Sequence, residues 1–161
     1  MATIPTDRNL MSPMGDINLA VGIGAIPGWE TYRKFGDNDS VSGGGALEDM
    51  WPLGTPRILP TSAGVVSTVS NDPTDDIGNT GAQIVRIEGL DENYLDISED
   101  INMNGTTPVV TTAEFLRVQR AFVLTAGTAE HNNGNITCSI GGNPQAYIES
   151  LQGQTQQAMF T

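Results

Sequence analysis

The chain is predicted to be all-β: an antiparallel sandwich preceded by an extended, strand-poor N-terminal arm. Three observations predict this. From about residue 60 onward, short runs of alternating apolar and polar residues follow one another, separated by turn signals. Helix signals are scarce, and no heptad or fixed-period repeat is sustained. The polarity is mostly neutral: only 16% of residues are charged, and Gly, Thr, Asn, Ser and Gln carry the rest, which suits short strands joined by turns. At 161 residues the chain is long enough for one domain with an extension. A chain of this size buries roughly 70% of its unfolded surface, so its core needs neither metal nor disulfide. A sandwich of jelly-roll or immunoglobulin-like type is the expected architecture.

Residues 1–60 form the expected arm. Pro5, Pro13, Pro27, Pro52, Pro56 and Pro60 interrupt any periodicity, and Gly43-Gly44-Gly45 is a flexible hinge. One helical turn is expected at Leu47-Glu48-Asp49-Met50. Extended chain reaches about 3.3–3.6 Å per residue, so half of this segment spans to a neighbouring molecule. Trp29, Tyr32, Phe35 and Trp51 are too many large aromatics to leave in water. Either the arm folds back on the β domain or it buries them in a partner, so these four are the candidate partner-binding residues.

Residues 61–161 form the expected β domain. Gly64–Ser70 and Ala82–Glu88 are weaker strands. Leu95–Met103 is the clearest: Leu95, Ile97, Ile101 and Met103 share one face, Asp96, Ser98, Asp100 and Asn102 the other, and Glu99 alone breaks the pattern. Asn104-Gly105 follows, and because both residues tolerate positive φ it predicts a hairpin to a return strand from Val109. Thr112-Ala113-Glu114-Phe115 reads as one helical turn. In Leu116–Leu124, Leu116, Val118, Phe122 and Leu124 point one way, with Arg120 misplaced among them; either it sits at a sheet end or it reaches a carboxylate partner, for which Glu99, the other misfit charge, is the candidate. Asn135–Ile140 and Ala146–Leu151 complete the set. Cys138, the single cysteine, shares a face with Ile136 and Ile140 and is expected to be a buried thiol.

A formal charge of −12 argues against nucleic acid as a ligand, since phosphate contacts need basic groups. The seven here are dispersed, and Lys34 is the only lysine, the bias of an interface rather than a free surface. No apolar run is long enough to span a bilayer, and Ile17–Ile26 lacks the basic flank of a signal peptide, so a soluble location until assembly or lysis is expected. No enzyme is expected. His131 lies in a turn-like Glu130-His131-Asn132-Asn133-Gly134, and one His with one Cys makes no common zinc set. Nucleophile elbow, P-loop and dinucleotide fingerprint are absent from the sequence. Asp72, Asp75 and Asp76, and separately Asp91 with Glu92, are read as turn-formers; a calcium site is the alternative, though neither run has EF-hand spacing. A paired-carboxylate glycosidase would also need a groove lined with aromatics. No cofactor is expected.

A series of short pieces carries a resemblance: Lys34-Phe35-Gly36-Asp37-Asn38, Glu48-Asp49-Met50-Trp51, Thr80-Gly81-Ala82, Ile87-Glu88-Gly89-Leu90-Asp91, Met103-Asn104-Gly105-Thr106-Thr107-Pro108-Val109, Arg117-Val118-Gln119-Arg120-Ala121 and Gln145-Ala146-Tyr147-Ile148. In this order, over roughly residues 30–150, the chain resembles virion structural proteins of tailed bacteriophages. The resemblance implies a non-enzymatic particle component, either a capsid cement (decoration) protein on the exterior of the head or a neck or tail piece. The partners implied are the major capsid protein or other virion proteins, with no nucleic acid and no membrane. Self-association is expected, with three-fold symmetry taken from capsid geometry. Proteins that look like this often continue into another β segment after the Gln-Ala-Tyr-Ile strand, whereas this chain reaches Thr161 soon afterwards, which counts against a fibre or receptor-binding role. A secreted carbohydrate-binding or adhesion module is the third reading.

Overall fold

Among the described residues nine strands run in chain order: β1 Lys34–Phe35, β2 Gly64–Ser70, β3 Ala82–Leu90, β4 Asp96–Asn102, β5 Val109–Phe115, β6 Arg117–Ala126, β7 Ile136–Ile140, β8 Asn143–Ile148 and β9 Ala158–Met159. The structure, a computed structural model, describes residues 57–155 in full, with Trp51 and Leu53 beside them and the backbone of residues 34–35 and 158–159. Among the described residues there is no helix. Two antiparallel sheets make the sandwich, one ordered β5-β2-β7-β8 and the other β4-β3-β6. Their inner faces share one core. Val66, Phe115, Ile136, Cys138 and Ile148 come from the first sheet, and Val85, Ile87, Ile101, Val118 and Ala121 from the second. Alternation is the cause: β7 reads buried, half-buried, buried along Ile136-Thr137-Cys138-Ser139-Ile140, as a strand with one wet face must. β1 and β9 pair with each other in a separate two-stranded sheet, so the segment expected to be an arm contributes a short strand.

The Asn104-Gly105 turn is not a hairpin. β4 pairs with β3, β5 pairs with β2, and the chain crosses between the sheets at this point. Asn104 does not take a positive φ; of the two residues only Gly105 does, at 56°. Its backbone is instead bound to the acidic loop: Gly105 N donates to Asp75 O at 2.8 Å, and Ser70 N donates to Gly105 O at 3.1 Å. A side chain at Gly105 would press within 3.0 Å of Pro73. Thr112–Phe115 is strand, part of β5, rather than a helical turn. The turn expected at 47–50 lies outside the described residues.

The misplaced Arg120 also has a physical reason. Glu88 is opposite Arg120 and Gly89 is opposite Val118, so Gln119 is an extra residue in β6. This bulge reverses the facing of the residues that follow, as far as a second extra residue at Leu124, between Val123 opposite Val85 and Thr125 opposite Ile84. Val118 points into the core, then Ala121 and Val123 do, while Leu124 is left 39% exposed. Arg120 therefore lies on the outer face, stacked 4.3 Å from the Phe122 ring centroid and 3.7 Å from Glu88. The expected Glu99–Arg120 pair does not form. Gly89 is needed beside the bulge, because a Cβ there would meet Arg117 O at 1.9 Å. In β4, Ile97, Ile101 and Met103 face inward as expected, whereas Leu95 sits in the preceding turn, 63% exposed.

Glu99 does something else. β5 arches away from β2 between Val110 and Glu114, where residues 111–113 oppose Val66 alone. Val66 N is satisfied by Thr111 Oγ1 at 2.8 Å, and Thr112 N and Ala113 N both donate to the Glu99 carboxylate at 2.8 Å. A side chain from an edge strand of one sheet thus covers the arch in an edge strand of the other. The opposite side of the sandwich is closed by main chain. Segment 57–60 is tied there by Gln145 Nε2 donating to Ile58 O, and segment 153–155 pairs with β6 through Val123 N to Gly153 O and Thr155 N to Ala121 O.

Candidate interaction surface

The sites singled out from sequence fall in different places. Trp29 and Tyr32 lie outside the described residues, and Phe35 is placed only as backbone in β1. Trp51 is 8% exposed and lies under Arg57, whose guanidinium carbon is 5.9 Å from the ring centroid, so it is buried in its own chain. Cys138 is fully buried; burial pushes its thiol up to about 11, against a weaker opposing effect of the Thr68 hydroxyl, which donates to Sγ at 3.5 Å. His131 is half-buried, its Nδ1 3.1 Å from Asn132 O.

The acids divide among separate turns. Asp72 accepts from Thr74 N at 2.8 Å and Thr74 Oγ1 at 2.5 Å, and these bonds hold its carboxyl below the usual range. Asp76 accepts from Ile77 N at 2.7 Å. Asp91 Oδ1 accepts from Asn93 N and Leu95 N, bonds that lower its pKa and shape the turn in which Tyr94 takes a φ of 61°. Asp75 is different. It is 0% exposed and accepts four hydrogen bonds, from Ser70 Oγ, Ala82 N, Asn133 N and Gly134 N at 2.6–2.9 Å. Donors pointing at both oxygens make this carboxylate a knot joining two loops and leave it badly placed for a cation. Among the described residues no three His, Cys, Asp or Glu side chains converge as a metal group. An open depression of about 250 Å³ is lined by Glu88, Gly89, Asp96, Ile97, Ser98 and Gln119, without an aromatic side chain. It lacks the aromatic lining a glycosidase groove requires.

The broad surfaces are the informative ones. Strands β3, β4 and β6 carry seven charged residues, Arg86, Glu88, Asp96, Glu99, Asp100, Arg117 and Arg120. Across that sheet's outer face Arg86 grips Asp100 bidentately, Nε to Oδ1 at 2.6 Å and Nη2 to Oδ2 at 2.8 Å. Each shifts the other toward the charged form: Arg86 upward, Asp100 downward. Strands β2, β5, β7 and β8 carry one charge, Glu114. Their outer face is Val, Thr, Ser and Tyr around that one carboxylate: exposed Glu114 lies opposite Val65, and Val110 opposite Ser67, with Val65 and Val110 42% and 61% exposed. One sheet thus presents a heavily charged face and the other a face with a single carboxylate. Composition foreshadowed this division, but only register shows which residues share a face.

Among the described residues no helix is long and apolar enough to cross a membrane. No protein-family model, curated protein or solved structure matches the chain.

Proposed function

We propose that this chain is a non-enzymatic structural component of a tailed-bacteriophage particle, a cement protein that binds the exterior of the head across capsid subunits and stabilises it. The observation that carries this reading is the contrast between the two outer sheet faces. A face of Val, Thr and Ser with one carboxylate, Glu114, at its β5 edge can be covered by another protein while desolvating little charge, whereas the opposite face keeps its many charges in water. The net charge of −12 supports a position outside a shell filled with DNA rather than within it, because like charges repel. The ordered resemblance to virion proteins supports the same assignment. Many copies bound across subunit joints would stabilise the shell by mass action, since only the assembled lattice presents the site. Three-fold clustering fits that role.

The test is to mix the purified chain with capsids that lack it and image them by electron microscopy. Regular density over the lattice is expected, and Val110→Lys should remove it by placing a further charge on the sparsely charged face. Density confined to the unique vertex would assign the chain to the neck or tail, and no density at all would remove it from the particle.

A further inference from the structure

Among the described residues, two arginines of this acidic chain have no carboxylate partner. Segment 57–60 runs beside the start of β6, held at both ends by guanidiniums. Arg57 Nη2 donates to Val118 O, and Arg117 Nη1 donates to Pro60 O and Leu116 O, all at 2.7 Å. Every one of these acceptors is a neutral carbonyl. The other described arginines have carboxylates, Arg86 on Asp100 and Arg120 on Glu88. Among the described residues Arg57 and Arg117 have none. Arg57 Nε is buried with no acceptor. Burial, and secondarily the like charge of Arg117, lowers the pKa of Arg57.

Half-burying two guanidiniums side by side is costly unless an anion completes the set, and the planar fork of donors is matched by a carboxylate. The surroundings define what carries that carboxylate. Ile58 and Leu59 follow Arg57 directly and are 61% and 42% exposed. A free oxyanion would neutralise the charge and leave both apolar side chains in water. A polypeptide covers all of them. Nucleic acid and anionic lipid would be repelled by the rest of the chain.

We propose that Arg57 and Arg117, with Ile58 and Leu59, form a docking site for a partner-protein segment that presents a carboxylate between apolar side chains. The site does not depend on the partner being a viral shell.

The experiment uses the full chain, labelled for arginine side-chain and methyl NMR, and three probes at matched ionic strength: acetyl-Leu-Glu-Leu-amide, acetyl-Leu-Gln-Leu-amide and sodium acetate. The Glu peptide should shift the Arg57 Nε–H and the Ile58 and Leu59 methyl signals together and saturably. The Gln peptide should bind about ten-fold more weakly, as expected for loss of a charge-assisted pair. Arg57→Gln with Arg117→Gln should reduce Glu-peptide binding by about the same factor. Should that variant misfold, Ile58→Ser decides: it should weaken the Glu peptide and leave acetate unaffected. Equal binding of the two peptides, an acetate response matching the Glu peptide, or no response to any probe would overturn the proposal. So would an Arg57 Nε–H already protected by a carboxylate of the same chain in the free protein.

Discussion

Asp75 shows how much one side chain can hold when it is buried and fully bonded. Its neighbours Asp72 and Asp76 shape their own turns, whereas Asp75 joins the 70–82 loop to the 133–134 turn through four donors. Asp75→Ala would leave several buried donors without acceptors, and a loss of about 3–4 kcal/mol is expected, read as a lower urea midpoint at unchanged slope. Surface carboxylates act differently. Asp100 has a depressed pKa because of Arg86, so its contribution is present above the unfolded carboxylate range and is lost as pH falls through the folded value. Wild type and Asp100→Asn should therefore differ in melting temperature at neutral pH and converge below about pH 4. Cys138 provides a probe of opening. With its thiol buried and its pKa at about 11, labelling by a thiol reagent at pH 8 should be slow and should accelerate on unfolding, at a rate set by how often the core opens.

Edge strands are the weak points of any sandwich, because their unpaired backbone groups invite another strand. Here one side is closed by main chain and the other by the single side chain of Glu99, which caps two N–H groups of the arched β5. Glu99→Ala should cost about 1–2 kcal/mol and expose the arch, seen as lower stability together with concentration-dependent association in sedimentation. These same features mark where sequence reading ends. Alternation is local, so β2, β4, β7 and the body of β3 are visible from residue pattern alone. Pairing is not local. Gly105 takes positive φ as readily in a crossing between sheets as in a hairpin, and its bonds to Asp75 and Ser70 select the crossing. The bulge at Gln119 is hidden from any count by twos, and its one outward sign, Arg120 on an apolar parity, looked like a buried ion pair. Counter-charges are tertiary too, so nothing in the sequence marks Arg57 and Arg117, whereas Trp51, over which Arg57 lies, stands out as a large aromatic.

At the scale of the whole molecule, the question is what the segment before β2 does for the sandwich. Residues 34–159 form one compact unit, so the change of sequence character near residue 60 does not coincide with an edge of that unit. Trp51 is buried, Arg57 caps Val118 O, and the carbonyls of Ile58 and Pro60 accept from Gln145 and Arg117. Two truncations separate these contacts from everything earlier in the chain. Both removal of residues 1–50 and removal of residues 1–60 delete β1, but only the second also takes Trp51 and the four-residue closure. The shorter deletion should keep the closure, and the longer one should be less stable than it by about 3–5 kcal/mol, the usual cost of losing a buried tryptophan with its neighbours. Denaturation midpoints of the two proteins measure the difference directly. Equal midpoints would mean that residues 51–60 lie on a sandwich that is already complete; a large gap would make them part of its wall.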